Sequence, residues 1–294
     1  AMFLQNPPYL QVNKTCPTSR FITSNPPAIE EDNSTVTLFI IYYQKLPHLA
    51  KQLDSWCSWP QTTRKQFRFI IVDDGSRVGL RAMDLIWPHR ERFKTALDLE
   101  VYEVEQDLVW NIGGARNLAF YVARTRYVLL NDADIFIPAR LADYFLELNR
   151  EASKQEKDVF FYPFNRIHLD GVNRPHPAVM LTSRRAYWTL GGCDEDFVGN
   201  YGYTDAHFTW RAGVSAKRGM IEIQHQHNVT TIKQIPPLQQ LPDSGVPCSA
   251  WAQDVCAKGK GIPRRSRPKN GDSNGVLFVS KMRRQKLWSN EYLR

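Results

Sequence analysis

Residues Tyr127–Pro138 read YVLLNDADIFIP. The apolar run has the composition of a strand, and it ends on two carboxylates separated by one alanine. Acids this close repel each other unless a positive charge stands between them. Side chains of an extended chain alternate faces. Asp132 and Asp134 are therefore expected to point the same way, with Ala133 opposite. The pattern suits a bound cation; the plain alternative is a solvated acidic turn.

The same sequence of strand and then acids occurs upstream. VTLFIIYY (Val36–Tyr43) reads as a buried strand, and FRFIIVDDGS (Phe67–Ser76) as a strand closing on two acids, Gly and Ser. ALDLEVYEVE (Ala96–Glu105) is a third strand candidate and RYVLLN a fourth. Between them, LPHLAKQLDSW (Leu46–Trp56) has helical spacing, with Leu49, Leu53 and Trp56 on one stripe. IGGARNLAFYVART (Ile112–Thr125) reads as a helix opening on two glycines. Strand–helix alternation with short connections predicts an α/β chain, a mostly parallel sheet with helices on both faces. Ligands of such sheets bind outside the carboxyl ends of the strands, where VDDGS and NDAD both fall.

Further along, DVFFYPF (Asp158–Phe164) and AVMLTS (Ala178–Ser183) read as strands, and MIEIQHQHN (Met220–Asn228) alternates like one. SRRAYWTLGG (Ser183–Gly192) and TDAHFTWRAG (Thr204–Gly213) read as helices capped by Ser183 and Thr204. From Pro236 onward, prolines and basic residues predict an extended wrap.

Composition narrows the possibilities. The chain has 294 residues, 43% of them hydrophobic, enough for one large domain with a core. No apolar run approaches the ~18 residues of a membrane helix, so no membrane span is expected. The formal net charge of +8 favours anionic partners such as sugar nucleotides, acidic glycans, membrane surfaces or nucleic acid. Much of it sits in KGKGIPRRSRPK (Lys258–Lys269) and KMRRQK (Lys281–Lys286), which the plainest reading makes a solvated basic tail. No zinc-finger spacing or aromatic–basic RNA motif accompanies it, so nucleic acid is not an expected partner. The five cysteines form no CxxC pair, which argues against a zinc or dithiol site; Cys248 and Cys256 could bridge in an oxidising compartment. Sequons at Asn13, Asn33 and Asn228 hint at a secretory lumen, Golgi-like with an anchor removed, although a cytoplasmic enzyme fits as well. Ala1-Met2 reads as a cloning remnant.

Four constellations carry chemistry. Hard divalent cations prefer oxygen ligands and bridge a few carboxylates to substrate phosphates, which suits Asp132 and Asp134. Asp73 and Asp74 can accept hydrogen bonds from a nucleobase imide or a ribose hydroxyl, or serve a turn and a helix cap. In WNIGGARNLA, Gly113 opens a helix whose N–H groups favour phosphate, and Arg116 offers a permanently charged fork. The glycines alternatively permit only close packing. In GGCDEDFVGNYGYTDAHFTWR (Gly191–Arg211), Asp205 falls in a first helical turn, where the dipole favours an ionised carboxylate that can act as general base for an alcohol. Tyr201, Tyr203 and Trp210 could floor a sugar ring.

The order VDDGS, GGARN, a strand ending DAD, then GG-x-DE-x-F-x-G before a small-residue and acid segment resembles the GT-A-fold glycosyltransferases. It is most similar to the inverting family 2 enzymes and the related galactosyl- and N-acetylgalactosaminyl-transferases. The resemblance runs from about Thr35 to Asn228. It implies a UDP-sugar donor, a glycan or glycoconjugate acceptor and a divalent metal, Mn²⁺ or Mg²⁺. By the same resemblance, Asp73 or Asp74 would contact the uracil, Arg116 the nucleotide, Asp132 the ribose or metal, and Asp134 the metal. Asp205 would be the catalytic base, and His225 or His227 a further metal ligand. The implied domains are 1–34, an extension or stem; 35–235, the catalytic domain, with a nucleotide half to about 138 and an acceptor half beyond; and 236–294, a basic wrap.

The chain departs from the family's usual Glu-Asp at the base, having Thr204-Asp205, with His207 where a second acid often sits. Asp194, Glu195 and Asp196 are alternative bases. Two rivals remain on sequence grounds. A nucleotidyltransferase would need a Gly-rich basic loop after the first strand, which YYQKLPHL lacks. A catalytically inactive glycan-binding module on the same fold would not need an intact DxD.

Overall fold

The computed structural model describes residues 32–105, 107, 108, 110–199, 202–231 and 271–283. Most of the expected N-terminal extension, the Lys258–Lys269 run, Cys16, Cys248, Cys256, the Asn13 sequon and Tyr201 lie outside the described residues. Among the described residues ten strands form two sheets: β1 (Asp32–Tyr42), β2 (Phe67–Asp73), β3 (Asp98–Glu103), β4 (Thr125–Asp132), β5 (Val159–Phe161), β6 (Phe164–Ile167), β7 (Asn173–His176), β8 (Met180–Ser183), β9 (Glu222–Gln224) and β10 (Thr230–Thr231). The larger sheet has the order β3-β2-β1-β4-β8-β5-β9 and the smaller β10-β6-β7. Strands β1 to β4 pair in parallel, β8 runs antiparallel to β4 and β5, and β9 is parallel to β5.

Alternation along the strands explains why their sequences are apolar throughout. Val36, Leu38, Ile40 and Tyr42 of β1 join one core, while Phe39 joins the other. On β4, Tyr127 and Leu129 face the first core and Val128 and Leu130 the second. A sheet covered on both faces leaves no polar side.

The first core is closed by α1 (Leu46–Ser58), α3 (Ala82–Ile86), α4 (Arg90–Ala96) and α6 (Ala139–Lys154), with the short α2 (Gln61–Arg64) between α1 and β2. The expected stripe Leu49, Leu53 and Trp56 is fully buried there. The second core is closed by α5 (Ile112–Val122), α7 (Arg184–Thr189) and α8 (Thr204–Lys217). No helix among the described residues is long and apolar enough to cross a membrane.

Four local expectations change. Asp134 is not on an extended strand: β4 stops at Asp132 and the chain turns, closed by Ile135 N–H donating to the Asp132 carbonyl at 3.0 Å. Gln52 Nε2 donates to the Ala133 and Ile135 carbonyls and Asn131 Nδ2 to Ile135, so buried amides hold this turn from below. Thr204 begins α8 rather than capping it; Tyr203 precedes the helix with φ of 67° and no side-chain cap bond forms. Strand β9 ends at Gln224, before the two histidines. The expected extended wrap contains a helix, α9 (Gly271–Arg283), despite a Gly-, Ser- and Asn-containing sequence. Contacts of Phe278 and Lys281 with the domain override that weak intrinsic propensity.

Candidate active site

The carboxyl ends of β2 and β4, the start of α5 and the start of α8 meet at one edge of the sheet. Arg116 is their centre. It is carried on α5 and only 2% exposed. Its Nη1 donates to Asp205 Oδ1 in the first turn of α8, and its Nη2 lies 3.9 Å from Asp132 Oδ1. A buried guanidinium needs compensating charge, and these two carboxylates supply it. Asp132 is pushed up to about 7, first by loss of solvent around it and then by Asp134, against the pull of Arg116. The turn therefore keeps the two acids within mutual electrostatic reach although the chain there is not extended.

His176, at the end of β7, is the partner that sequence reading missed. It is 1% exposed, and its Nε2 lies 3.5 Å from Asp132 Oδ2. Its Nδ1 accepts from the Ala178 and Val179 amides at 3.0 and 3.1 Å. The neutral ring therefore carries its proton on Nε2, facing Asp132 as a donor. Burial, with the positive charges of Arg166, Arg116 and His168, pushes it down to about 3. Nothing in RPHPA signals this, because a His between two prolines has no periodicity to read.

On the β2 side, Asp73 is 1% exposed and both its oxygens accept backbone N–H groups, Oδ1 from Ser76 at 2.9 Å and Oδ2 from Ala82 at 2.7 Å. It clamps the loop into α3, the plain cap reading of the pair. Asp74 Oδ1 accepts from Asn111 Nδ2 at 3.2 Å. Asn111 precedes α5 directly, a position that favours Asn, and its buried Oδ1 has no hydrogen-bond partner among the described residues. Gly113 is closely packed: a Cβ there would stand 3.3 Å from the Asp194 carbonyl and 3.6 Å from Thr204.

The loop between α7 and α8 is positioned by two buried side chains. Asn117 Nδ2 donates to the Cys193 carbonyl and to Glu195 Oε1, while its Oδ1 accepts from Tyr187 and the Cys193 amide. Arg211 donates to the Leu190 and Gly192 carbonyls. Gly192 has φ of 68°, and a Cβ there would lie 2.6 Å from Asn117 Oδ1, so both backbone and space require glycine.

The family model described as glycosyl transferase family 2 matches residues 37–209, more than half of the chain. The chain belongs to glycosyl transferase family 2. It has the GT-A fold. Solved structures agree on the fold. S. aureus TarS 1–349 in complex with UDP-GlcNAc is 16% identical with a TM-score of 0.52, covering 69% of this chain and 60% of its own. The mannosyltransferase PcManGT from Pyrobaculum calidifontis, with GDP-Man and Mn²⁺, is 16% identical with a TM-score of 0.51, covering 92% and 88%. GalNAc-T7 with UDP, GalNAc and Mn²⁺ is 12% identical at 0.51, covering 69% and 45%. The chain thus spans less than two thirds of the first of these structures. No curated protein sequence matches it.

The remaining candidates of this family 2 domain are dispersed. Asp194 is 1% exposed; its Oδ1 accepts the Asp196 amide and its Oδ2 the Lys281 ammonium at 2.6 Å. Asp196 Oδ2 also accepts from Lys281, at 2.7 Å, and Glu195 pairs with Asn117. The three alternative bases therefore hold the loop and α9. His207 is buried beside Asp194, at 3.5 Å, and pushed down to about 3 by burial, then by Arg211 and Lys281. Trp210 stacks with His207 and Tyr203 lies against Phe278, 5.3 Å between centroids. Trp210 is five residues from Asp205, about 140° around the helix, so it does not floor the Asp205 face. His225 and His227 are exposed and stack on each other, 5.3 Å between centroids. They lie past β9, three strand positions from β4, and no group of three His, Cys, Asp or Glu among the described residues could hold a metal.

Proposed function

We propose that this chain is a metal-dependent, inverting glycosyltransferase that moves a sugar from a UDP-sugar to a hydroxyl of a glycan or glycoconjugate. The observation that carries the proposal is the Arg116 bridge, which gathers the acid at the end of β4 and the acid opening α8 around one cation. UDP is favoured as carrier because two of the similar structures hold UDP or a UDP-sugar, one of them with Mn²⁺.

The residues fit a divalent cation. Asp132 and Asp134 offer hard oxygen donors, and their repulsion, felt in the raised Asp132, would be relieved by it. The two would hold Mn²⁺ or Mg²⁺. His225 and His227 are not part of this set. When bound, the ion would act as a Lewis acid toward the leaving diphosphate.

The chain's own side chains have distinct tasks. His176 Nε2–H orients Asp132. Asp74, held by Asn111, stands where a nucleobase or ribose would be read, while Asp73 shapes the loop beneath it. Arg116 fixes Asp205 through Oδ1, and Oδ2 makes no hydrogen bond among the described residues. Asp205 Oδ2 takes the proton of the acceptor hydroxyl as that oxygen attacks the anomeric carbon from the face opposite the diphosphate.

A thermal-shift screen of UDP, GDP and CDP, with and without Mn²⁺, tests the reading on wild type and Asp134→Ala. The expected result is a shift with UDP that needs Mn²⁺ and is lost in the variant. No shift with any nucleotide would overturn it. Anomeric configuration in the product, read by NMR, decides inversion.

A further inference from the structure

We propose that the hairpin of β6 and β7 forms an anion-binding wall of the acceptor site, taking a carboxylate, sulfate or phosphate carried by the acceptor sugar. The inference rests on the glycosyltransferase reading and names the acceptor class for the same site.

Register places the charges. Phe164 pairs with His176 and Arg166 with Arg174 across the two antiparallel strands. Directly opposite residues share a face, and residues two apart on a strand share it too. Arg166 and Arg174 therefore lie on the His176 face, about 7 Å out along the strands. His176 itself stands 3.5 Å from Asp132. Two cations are thus presented beside the end of β4.

Like charges directly opposite each other destabilise a hairpin. Asp170 answers Arg174, at 2.7 Å. Arg166 is half-buried, its Nε donates to His168 Nε2 at 3.1 Å, and it forms no ion pair among the described residues. The buried His176 Nε2–H of the same strand pair is turned to Asp132 at 3.5 Å, so the hairpin reaches the end of β4 and leaves the two arginines beyond it.

Topology assigns the anion to the acceptor. Asp74 and Asn111 lie on the β2 side of β4, where the nucleotide would be read. The hairpin follows β5, which lies on the other side of β4 beyond β8. A diphosphate spanning from β2 to β4 would not extend there. A net charge of +8 accords with an anionic partner.

The test uses the full chain, wild type, Arg166→Gln and Arg174→Gln. Binding of three probes is titrated calorimetrically with UDP and Mn²⁺ present: a sulfated tetrasaccharide, a glucuronate-containing tetrasaccharide and neutral cellotetraose. At least one anionic probe is expected to bind, weakening with salt, and about tenfold less tightly to Arg166→Gln, as for a lost charged hydrogen bond. Cellotetraose affinity should be the same in all three proteins. Equal binding of the anionic probes to wild type and both variants, or no binding of either, overturns the proposal. A parallel loss of UDP–Mn²⁺ affinity in Arg166→Gln also overturns it, assigning the arginines to the donor diphosphate. Faster turnover of UDP-glucuronate than of UDP-glucose, lost in Arg166→Gln, would place the anion on the donor sugar and overturn it likewise. The glycosyltransferase reading fails separately, if no UDP-sugar in a panel releases UDP.

Discussion

Arg116 on α5 donates to Asp205 at the start of α8, across 89 residues of sequence. The pair joins α5 to α8 at the point where β4 ends. On the proposed reading it also sets the orientation in which Asp205 meets an incoming hydroxyl.

Asp205→Asn keeps the size of the side chain and removes its basicity. We expect transfer to fall by about 10² to 10⁴-fold, the span of general-base catalysis, while UDP affinity stays within a few-fold. Steady-state kinetics beside calorimetric UDP binding measure both. Transfer near the wild-type rate would move the base elsewhere.

Asp134→Ala should remove the Mn²⁺-dependent response to UDP. At a ligand concentration about 100 times Kd, binding adds about 2.7 kcal/mol, roughly 5–10 °C in Tm for a domain of this size. The wild type should show that shift and the variant almost none.

Lys281 on α9 sits between Asp194 and Asp196. Lys281→Met leaves the buried Asp194 carboxylate without its cation, a loss on the order of 3 kcal/mol. Asp194→Asn in the same chain should restore part of that stability. Denaturant unfolding of the two single variants and the double variant gives the coupling; simple additivity would show that α9 is not held through this pair.

Gly192→Ala should destabilise by about 2 kcal/mol or more, from left-handed backbone strain together with the approach to Asn117. Asn117→Ala should be at least as damaging, since it strips three hydrogen bonds from the loop that leads to Asp205 and a fourth from Tyr187 on α7. Melting temperatures of the two variants decide.

His207 is depressed to about 3 in the folded chain, from an ordinary value of 6.5. The unfolded chain therefore binds the extra proton first as pH falls, so stability declines below about pH 6.5 and continues to decline toward pH 3. His207 is faced by Asp194, Asp196, Arg211 and Lys281. His207→Phe should flatten the loss of stability between pH 6.5 and 4 by on the order of 3 kcal/mol. An unchanged slope would show that other groups dominate the acid limb.

Much of the fold was legible because burial on both faces leaves its mark in sequence. Runs such as VTLFIIYY and YVLLN have no polar face, and the Leu49, Leu53, Trp56 stripe names its helix. The spacing of Leu141, Phe145 and Leu148 marks α6 equally well. Helices α3 and α4 are too short for periodicity, and β7, reading NRPH, is a strand only because β6 pairs with it.

The site divides the same way. Sequence alone determined the chemical types and their order, acids at strand ends, glycines opening α5 and an acid opening α8, because these follow from local spacing. Tertiary structure decided which of those groups meet. It assigned Asp73 to the backbone and Asp194 to Lys281, set Arg116 between Asp132 and Asp205, and brought His176 to Asp132. Partners separated by 16 to 89 residues are chosen by how strands stack and helices cross, and no local pattern records that choice.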